Sequence, residues 1–193
     1  VGLRPHRRLR AHQCRLHHLN MAHVRSVHVS PEHGFSKTTV NTITLLEGRG
    51  VEGDAHCGEL VKHRSRVAAN PNQPNLRQVH FMMGETIDAA PVPDGDMGEN
   101  ITTFGIDLHT LPVNTELHIN NTVLVLTGLR NPCAQINSYR DGLLPHFREV
   151  KDDGEVIRRA GVMAIVVRGG EITPNDAIEV QLPAEPHEPL KPV

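Results

Sequence analysis

The chain has no tryptophan, one tyrosine and four phenylalanines, so aromatic residues make up only 3% of its 193 positions. A core drawn from such a sequence must be filled by Val, Leu and Ile. No apolar run comes near the roughly 18 residues that a membrane-spanning helix needs. No cationic, then apolar, then small-residue leader is visible either, so a cytoplasmic protein without a membrane partner is expected. Cysteine is scarce as well: Cys14, Cys57 and Cys133 are odd in number and widely spaced. That argues against a disulfide framework and for a reducing compartment. It also rules out a four-cysteine iron–sulfur site within one chain. Five of the 20 basic residues, Arg4, Arg7, Arg8, Arg10 and Arg15, fall in the first twenty positions, where there is no acid. The 15 left face all 22 acidic residues. An acidic body of this kind argues against general nucleic-acid binding, which needs clustered cations.

What the chain does have is 16 Gly and 14 Pro punctuating short apolar runs, the pattern of a β-rich domain with many turns. Strands are expected over roughly 22–29, 39–46, 77–83, 99–103, 115–119, 122–127, 162–168 and 177–182, where β-branched and aliphatic residues alternate with turn signals. Asn120-Asn121 reads as a tight hairpin, because Asn tolerates positive φ, and Gly169-Gly170 marks another turn. Helical pattern is confined to about 84–90 and 135–150, the latter interrupted by Gly142 and Pro145. Residues 58–76 read as a loop from Asn70-Pro71-Asn72-Gln73-Pro74-Asn75. Eight short strands with one or two helices predict a mainly β fold, a closed or nearly closed barrel. Residues 1–20 are unlike the rest and are expected to be a disordered or non-native extension, with the natural protein beginning at Met21; an Arg-rich transit peptide is the rival reading. The barrel is expected over 21–183 and a Pro-rich tail over 184–193.

Four clusters could carry chemistry. In Gly50-Val51-Glu52-Gly53-Asp54-Ala55-His56-Cys57-Gly58 the glycines permit a tight loop and close approach to a ligand. Asp54 and His56 share a face if the stretch is extended; a turn capped by Asp54, with His56 in solvent, is the plainer alternative. Arg66 and Arg64 follow. In Arg77-Gln78-Val79-His80-Phe81, strand alternation puts Gln78 and His80 on one face and Arg77 on the other. Gly95-Asp96-Met97-Gly98-Glu99-Asn100 could aim backbone N–H groups at an anion, and Asn100 has both the donor and the acceptor that reading a heterocycle requires. In Arg130-Asn131-Pro132-Cys133, Pro132 stiffens a corner at the end of a strand, and Arg130 could favour the thiolate of Cys133. An inert buried cysteine is the alternative. A zinc site from His56, Cys57, His63 and His80 has suitable ligand types, but the spacing fits no regular motif and 14 histidines make chance groupings common.

Together Gly53-Asp54-Ala55-His56, Gln78-Val79-His80, Gly98-Glu99-Asn100-Ile101, Thr127-Gly128-Leu129-Arg130-Asn131-Pro132-Cys133 and Gly161-Val162-Met163-Ala164 resemble MOSC domains, which are related to the C-terminal part of molybdenum cofactor sulfurase. The order and spacing of these segments are most similar to small stand-alone bacterial members, and the resemblance runs from about Val24 to Val180. It implies a strand-rich barrel and a molybdopterin-type molybdenum cofactor. Cys133 would be either the thiolate ligand of molybdenum in a centre that reduces N-hydroxylated small molecules, or a persulfide carrier of sulfur without turnover. Asn100 and Asn131 would bond the pterin. His56, Arg64, Arg66 and His80 would face the phosphate or the metal, with Arg130, Asp54 and Glu99 beside them and Arg159 as a further phosphate partner. No pyridoxal-phosphate lysine is implied. The first role calls for an electron-donating reductase and the second for a sulfur donor or acceptor protein. Part of the cradle would be missing or supplied by a second subunit, as in a homodimer.

Overall fold

The computed structural model describes residues 21–62 and 64–193, with backbone alone at 64 and 65. The extension expected over 1–20 lies outside these residues, as does His63. Thirteen strands and four short helices follow one another among the described residues. Eight strands form the main sheet. They are β1 (His23–Val29), β2 (Thr38–Val40), β5 (Val79–Met83), β6 (Ile101–Phe104), β7 (Glu116–Ile119), β8 (Thr122–Leu129), β11 (Val162–Arg168) and β13 (Ile178–Gln181), in the order β13-β7-β8-β11-β5-β6-β1-β2. All neighbours are antiparallel except β5 and β6. A second sheet holds β12 (Gly170–Ile172), β3 (Ile43–Leu46) and β4 (Gly50–Val51), and a third pairs β9 (Arg148–Val150) with β10 (Val156–Arg158).

The main sheet curls into a half-barrel and stays open, so the expectation of a closed barrel is corrected; the nearly closed form is the nearer description. The reason lies in β1. One of its edges pairs with β6. On the other, Val27–Val29 pair with β2, which leaves only residues 22–24 to meet the far end of the sheet. There Asn175 N–H donates to Val24 O at 2.7 Å, Val24 N–H to Asp176 O at 2.9 Å and Ile178 N–H to Ala22 O at 2.9 Å. Three backbone bonds bring the ends together without completing a ladder.

The expected elements hold in place with local differences. The run 39–46 divides at Asn41-Thr42 into β2 and β3, which join different sheets. The expected loop 58–76 contains α1 (Arg64–Ala69). After α2 (Gly84–Ala89), the long helix expected over 135–150 is α3 (Gln135–Tyr139), α4 (Leu144–Phe147) and then strand β9. Arg140 is extended and Gly142 sits at φ +76°, which no continuing helix permits. The tail runs alongside β8: Leu129 N–H donates to Lys191 O at 2.8 Å, and Leu190 is buried in the core.

The core has two parts. Val24, Val27, Val79, Phe81, Leu124, Leu126 and Val162 belong to the one inside the half-barrel, and Met82, Ile87, Met97, Ile136 and Phe147 to the one under the short helices. Gly161, at the entry to β11, lies where they meet. Its φ is +103°, and a Cβ there would stand 2.2 Å from Phe81 O and 2.4 Å from His80 Nε2. Strained backbone and overpacking each cost about 1–3 kcal/mol. Gly161→Ala is therefore expected to lose about 2–5 kcal/mol in urea unfolding; a loss under 1 kcal/mol would refute the packing described at this corner.

Candidate functional site

A cavity of ≈ 550 Å³ opens where the loop after β1, the loop after β4, the start of β5 and the end of β8 converge. Seven residues singled out from the sequence line it: His56, Arg66, His80, Asn100, Arg130, Asn131 and Cys133. Lys37, Lys62, Phe35, Asn75 and Arg77 join them. Asp54 and Glu99 stand behind the wall and do not line it. Arg64 lies in α1, and its side chain is outside the described residues. Arg159 is elsewhere, paired with Glu149 at 3.0 Å.

Asp54 organises one wall. Its side chain is 2% exposed. Oδ2 accepts from Lys37 Nζ at 2.6 Å and Asn100 Nδ2 at 3.0 Å; Oδ1 accepts from His56 N–H at 3.0 Å and lies 3.3 Å from His56 Nδ1. Burial opposes the charge, but bonds from His56 and Lys37 outweigh it and hold the carboxyl well below the usual carboxylate range. Burial lowers the Lys37 ammonium and Asp54 acts against that fall. The plainer sequence reading, a turn residue with His56 pointing to solvent, is half right: Asp54 does accept from the backbone of its own turn, and His56 lines the cavity.

Glu99 is wholly buried. Oε1 accepts from Gly95 N–H at 2.6 Å and from the Thr102 hydroxyl at 3.1 Å, while Oε2 has no partner among the described residues. Burial pushes its carboxyl up. The glycine loop expected to cradle an external anion thus turns Gly95 N–H toward the chain's own carboxyl group, and Gly98 N–H bonds Gly95 O at 3.0 Å. Asn100 is spent internally too: Oδ1 accepts from His80 N–H at 3.1 Å, and Nδ2 bonds Asp54 and, at 3.3 Å, His28 O. It braces the wall from within the lining. His80 lies 2.9 Å from Ala160 O through Nε2; burial first, and then Arg130, depress its basicity, so it is neutral.

The remaining side chains set the charge. Arg130 donates to Met97 O at 2.6 Å, and its guanidinium lies 5.9 Å from the centre of the Phe35 ring. Arg77 is pushed down to about 10 by burial, then by Arg66 and Arg130, with Cys133 acting in the opposite sense. Cys133 itself is exposed at the rim, its Sγ 3.6 Å from Gln135 Oε1. The corner that presents it is pinned by Arg130 N–H on Gly161 O at 2.9 Å and by Ile136 N–H on Cys133 O at 3.1 Å. Among the described residues no group of three or more His, Cys, Asp or Glu is arranged to hold a metal ion. His56, Cys57 and His80 therefore do not assemble the zinc site considered from the sequence. Burial raises the Cys57 thiol.

Sequence reasoning missed Lys37, Lys62 and Arg77. For Arg77 the signal was misapplied: alternation placed it opposite His80, but β5 begins at Val79, so the residues before it are free of the strand's two-residue period. Lys37 precedes a three-residue strand, and nothing in its neighbours announces a partner seventeen positions on.

The model of the MOSC domain matches residues 71–179. Among solved structures, the YuaD protein of Bacillus subtilis superposes with a TM-score of 0.66 at 22% identity, covering 83% of this chain and 95% of that one. YiiM of Escherichia coli gives 0.55 at 13% identity, with 86% and 73% covered. YiiM of Geobacillus stearothermophilus gives 0.54 at 15%, with 83% and 75% covered. No curated protein matches the chain.

Removing one partner of a buried ion pair strands the other charge, at a cost of about 3–5 kcal/mol. Asp54→Asn is expected to lose that much in urea unfolding, and Lys37→Met in the same chain to recover part of it. A loss under 1 kcal/mol for Asp54→Asn would refute the pairing. A second expectation concerns pH. His28, wholly buried beside Ser26, Thr39 and Thr102, is lowered to about 4 by burial, with Lys37 adding to the fall and Asp94 and Asp96 opposing it. The unfolded chain takes up this proton near pH 6.5 and the folded one near 4. The stability due to neutral His28 is thus complete above about 6.5 and lost, by about 3 kcal/mol, as pH falls to about 4. Neutral His80 acts in the same sense. Melting temperature is expected to fall over that window, with a smaller fall in His28→Gln; an unchanged slope in the variant would count against it.

Proposed function

Because this chain belongs to the MOSC domain family, we propose that its cavity binds a molybdopterin-type molybdenum cofactor, with Cys133 as thiolate ligand of the metal, and that the loaded protein reduces N-hydroxylated small molecules. One observation carries the reading. Of the 18 described residues that line the cavity, five are Lys or Arg and none is Asp or Glu, in a body where acids outnumber bases. A cationic pocket with no acid in its described lining, and with a thiol at its rim, fits a ligand that has a phosphate at one end and a soft metal at the other.

The residues divide accordingly. Lys62, Arg66 and Arg77, with Arg130 behind them, would hold the phosphate; Arg130 and Arg77 keep donors beyond their backbone bonds. Asn131, whose Oδ1 accepts from Arg158 Nε at 3.0 Å, has its amide N–H groups left to donate to the pterin. Cys133 supplies the soft ligand. His56, fixed through Nδ1 by Asp54, keeps Nε2 to hold or pass a proton beside the bound molecule. The metal, when bound, supplies the two-electron chemistry, and a separate reductase would deliver the electrons. No helix among the described residues is long and apolar enough to cross a membrane, and the reading places the reaction in the cytoplasm.

The exposure of Cys133 favours a second reading, in which the thiol carries a persulfide to an acceptor protein. Metal and pterin analysis of protein expressed with cofactor supply separates the two. Stoichiometric molybdenum and pterin are expected in the wild type, with molybdenum at least about tenfold lower in Cys133→Ser. Arg77→Ala is expected to retain less pterin. Equal molybdenum in wild type and Cys133→Ser would remove Cys133 as the ligand. Cyanide-labile sulfur without molybdenum would replace the first reading with the second.

A further inference from the structure

We propose that a second, smaller cavity beside the first binds an uncharged planar aromatic molecule against the rings of Phe35 and Tyr139. This cavity, of ≈ 420 Å³, is lined by four ring-bearing residues, His33, Phe35, His56 and Tyr139, with Gln135 and Ser138 among the rest. Phe35, His56 and Gln135 line both cavities, so the two share a partition.

Composition makes the ring cluster notable. The chain has five aromatic residues in all. Phe81 and Phe147 are wholly buried in the core, whereas the one tyrosine and another phenylalanine meet at a cavity wall. Phe35 and Tyr139 stack with ring centres 5.3 Å apart and planes 28° apart; His33 and His56 meet edge to face at 5.0 Å and 89°. Core packing accounts for Phe35, which rests on the cluster under the short helices. It does not account for Tyr139, which is 40% exposed yet has its hydroxyl fixed as a donor to Asp96 Oδ2. A ring held by its tip, with its body open to a cavity, is a stacking platform.

Charge separates the two cavities. Among the described residues no Lys, Arg, Asp or Glu lines the smaller one, whereas five cations line the larger. An anionic ligand is directed to the larger cavity, and an uncharged ring loses nothing by leaving water for the smaller one. Gln135 can donate and accept at the ring's polar substituent. The substituent would then lie toward His56 and Cys133, on the partition. That the ring belongs to the substrate of the neighbouring centre rests on the reading of the larger cavity given above; that a planar ring binds here does not.

The sequence provides its own probe. With no tryptophan and a single tyrosine, intrinsic emission reports on Tyr139 alone. Titrating the full chain with benzamide is expected to quench that emission saturably. By calorimetry, cyclohexanecarboxamide, the same amide on a saturated ring, is expected to bind about three- to tenfold more weakly. Tyr139→Ala, at an exposed position, should weaken benzamide by a similar factor, and saturating inorganic phosphate should leave its affinity unchanged. Equal binding of the two amides, full affinity in Tyr139→Ala, or displacement by phosphate would each overturn the proposal. Benzamide bound by protein that never acquires molybdenum would remove the cofactor reading and leave the ring site standing. Molybdenum-loaded protein indifferent to benzamide would do the reverse.

Discussion

The carboxylate of Asp54 is the interaction on which the cavity depends. It has two oxygens, almost no solvent, and donors from three separate segments: Lys37 before β2, His56 in its own turn, and Asn100 before β6. An ionised carboxyl group in such a place is stable only while its donors stay. Asn100 extends the chain of dependence, since its side-chain oxygen accepts from His80 N–H at the start of the parallel β5–β6 pair. Loop, turn and two strands are thereby fixed to one another by a single acid that never touches the cavity. A bound molecule would meet His56, Lys37 and His80; their positions are set one layer further back.

The same economy explains why the lining can be so one-sided. Five cations around one cavity repel one another, and burial adds to the cost, as the depressed basicity of Arg77 and Arg130 records. Asp54 offsets Lys37 alone. Glu99 lies behind Arg130 with one oxygen unpartnered among the described residues, too deep to neutralise the rim. A fold selected only for stability would place an acid among these residues, and each pair so formed would be worth several tenths of a kcal/mol or more. Such local strain is characteristic of sites that a ligand completes. An anion entering the cavity would relieve repulsion that the folded chain otherwise bears.

Much of this was legible in the sequence, and what was not has physical reasons. Seven strands of the main sheet were readable because a half-buried strand writes its period of two into Val, Ile, Leu and Thr; the eighth, β2, was run together with β3. Strands β4, β9, β10 and β12 were not: each has two or three residues, too few for a period to show. The helix over 135–150 was overdrawn because an apolar spacing suited to a helix continues past the interruptions at Gly142 and Pro145, and the chain breaks at the first of them. Among site residues, the motif carried Cys133, Arg130, Asn131 and His56 to the cavity. It carried Asn100 to the lining as well, and it nominated Asp54 and Glu99, whose side chains serve the wall. A motif marks residues that a site cannot do without; it does not distinguish those that face the ligand from those that hold the facing ones. Arg77 and Lys37 were missed because their roles come from long-range placement, at the mouth of one strand and beside a turn seventeen residues on.

The openness of the sheet bears on how the site is built. In a closed barrel every strand edge is paired, and a cavity must lie inside or at the mouth. Here β1 divides one edge between β2 and the segment before β13, so the chain leaves the sheet after Val29 and returns only at Thr38. That excursion supplies His33, Phe35 and Lys37. The Lys37 ammonium is drawn inward to Asp54, while Phe35 turns to Tyr139 and Arg130. A single loop therefore contributes a cation to one cavity and a ring to the partition between the two. The same excursion from the sheet thus borders both cavities, with Lys37 on the larger and Phe35 on the two together.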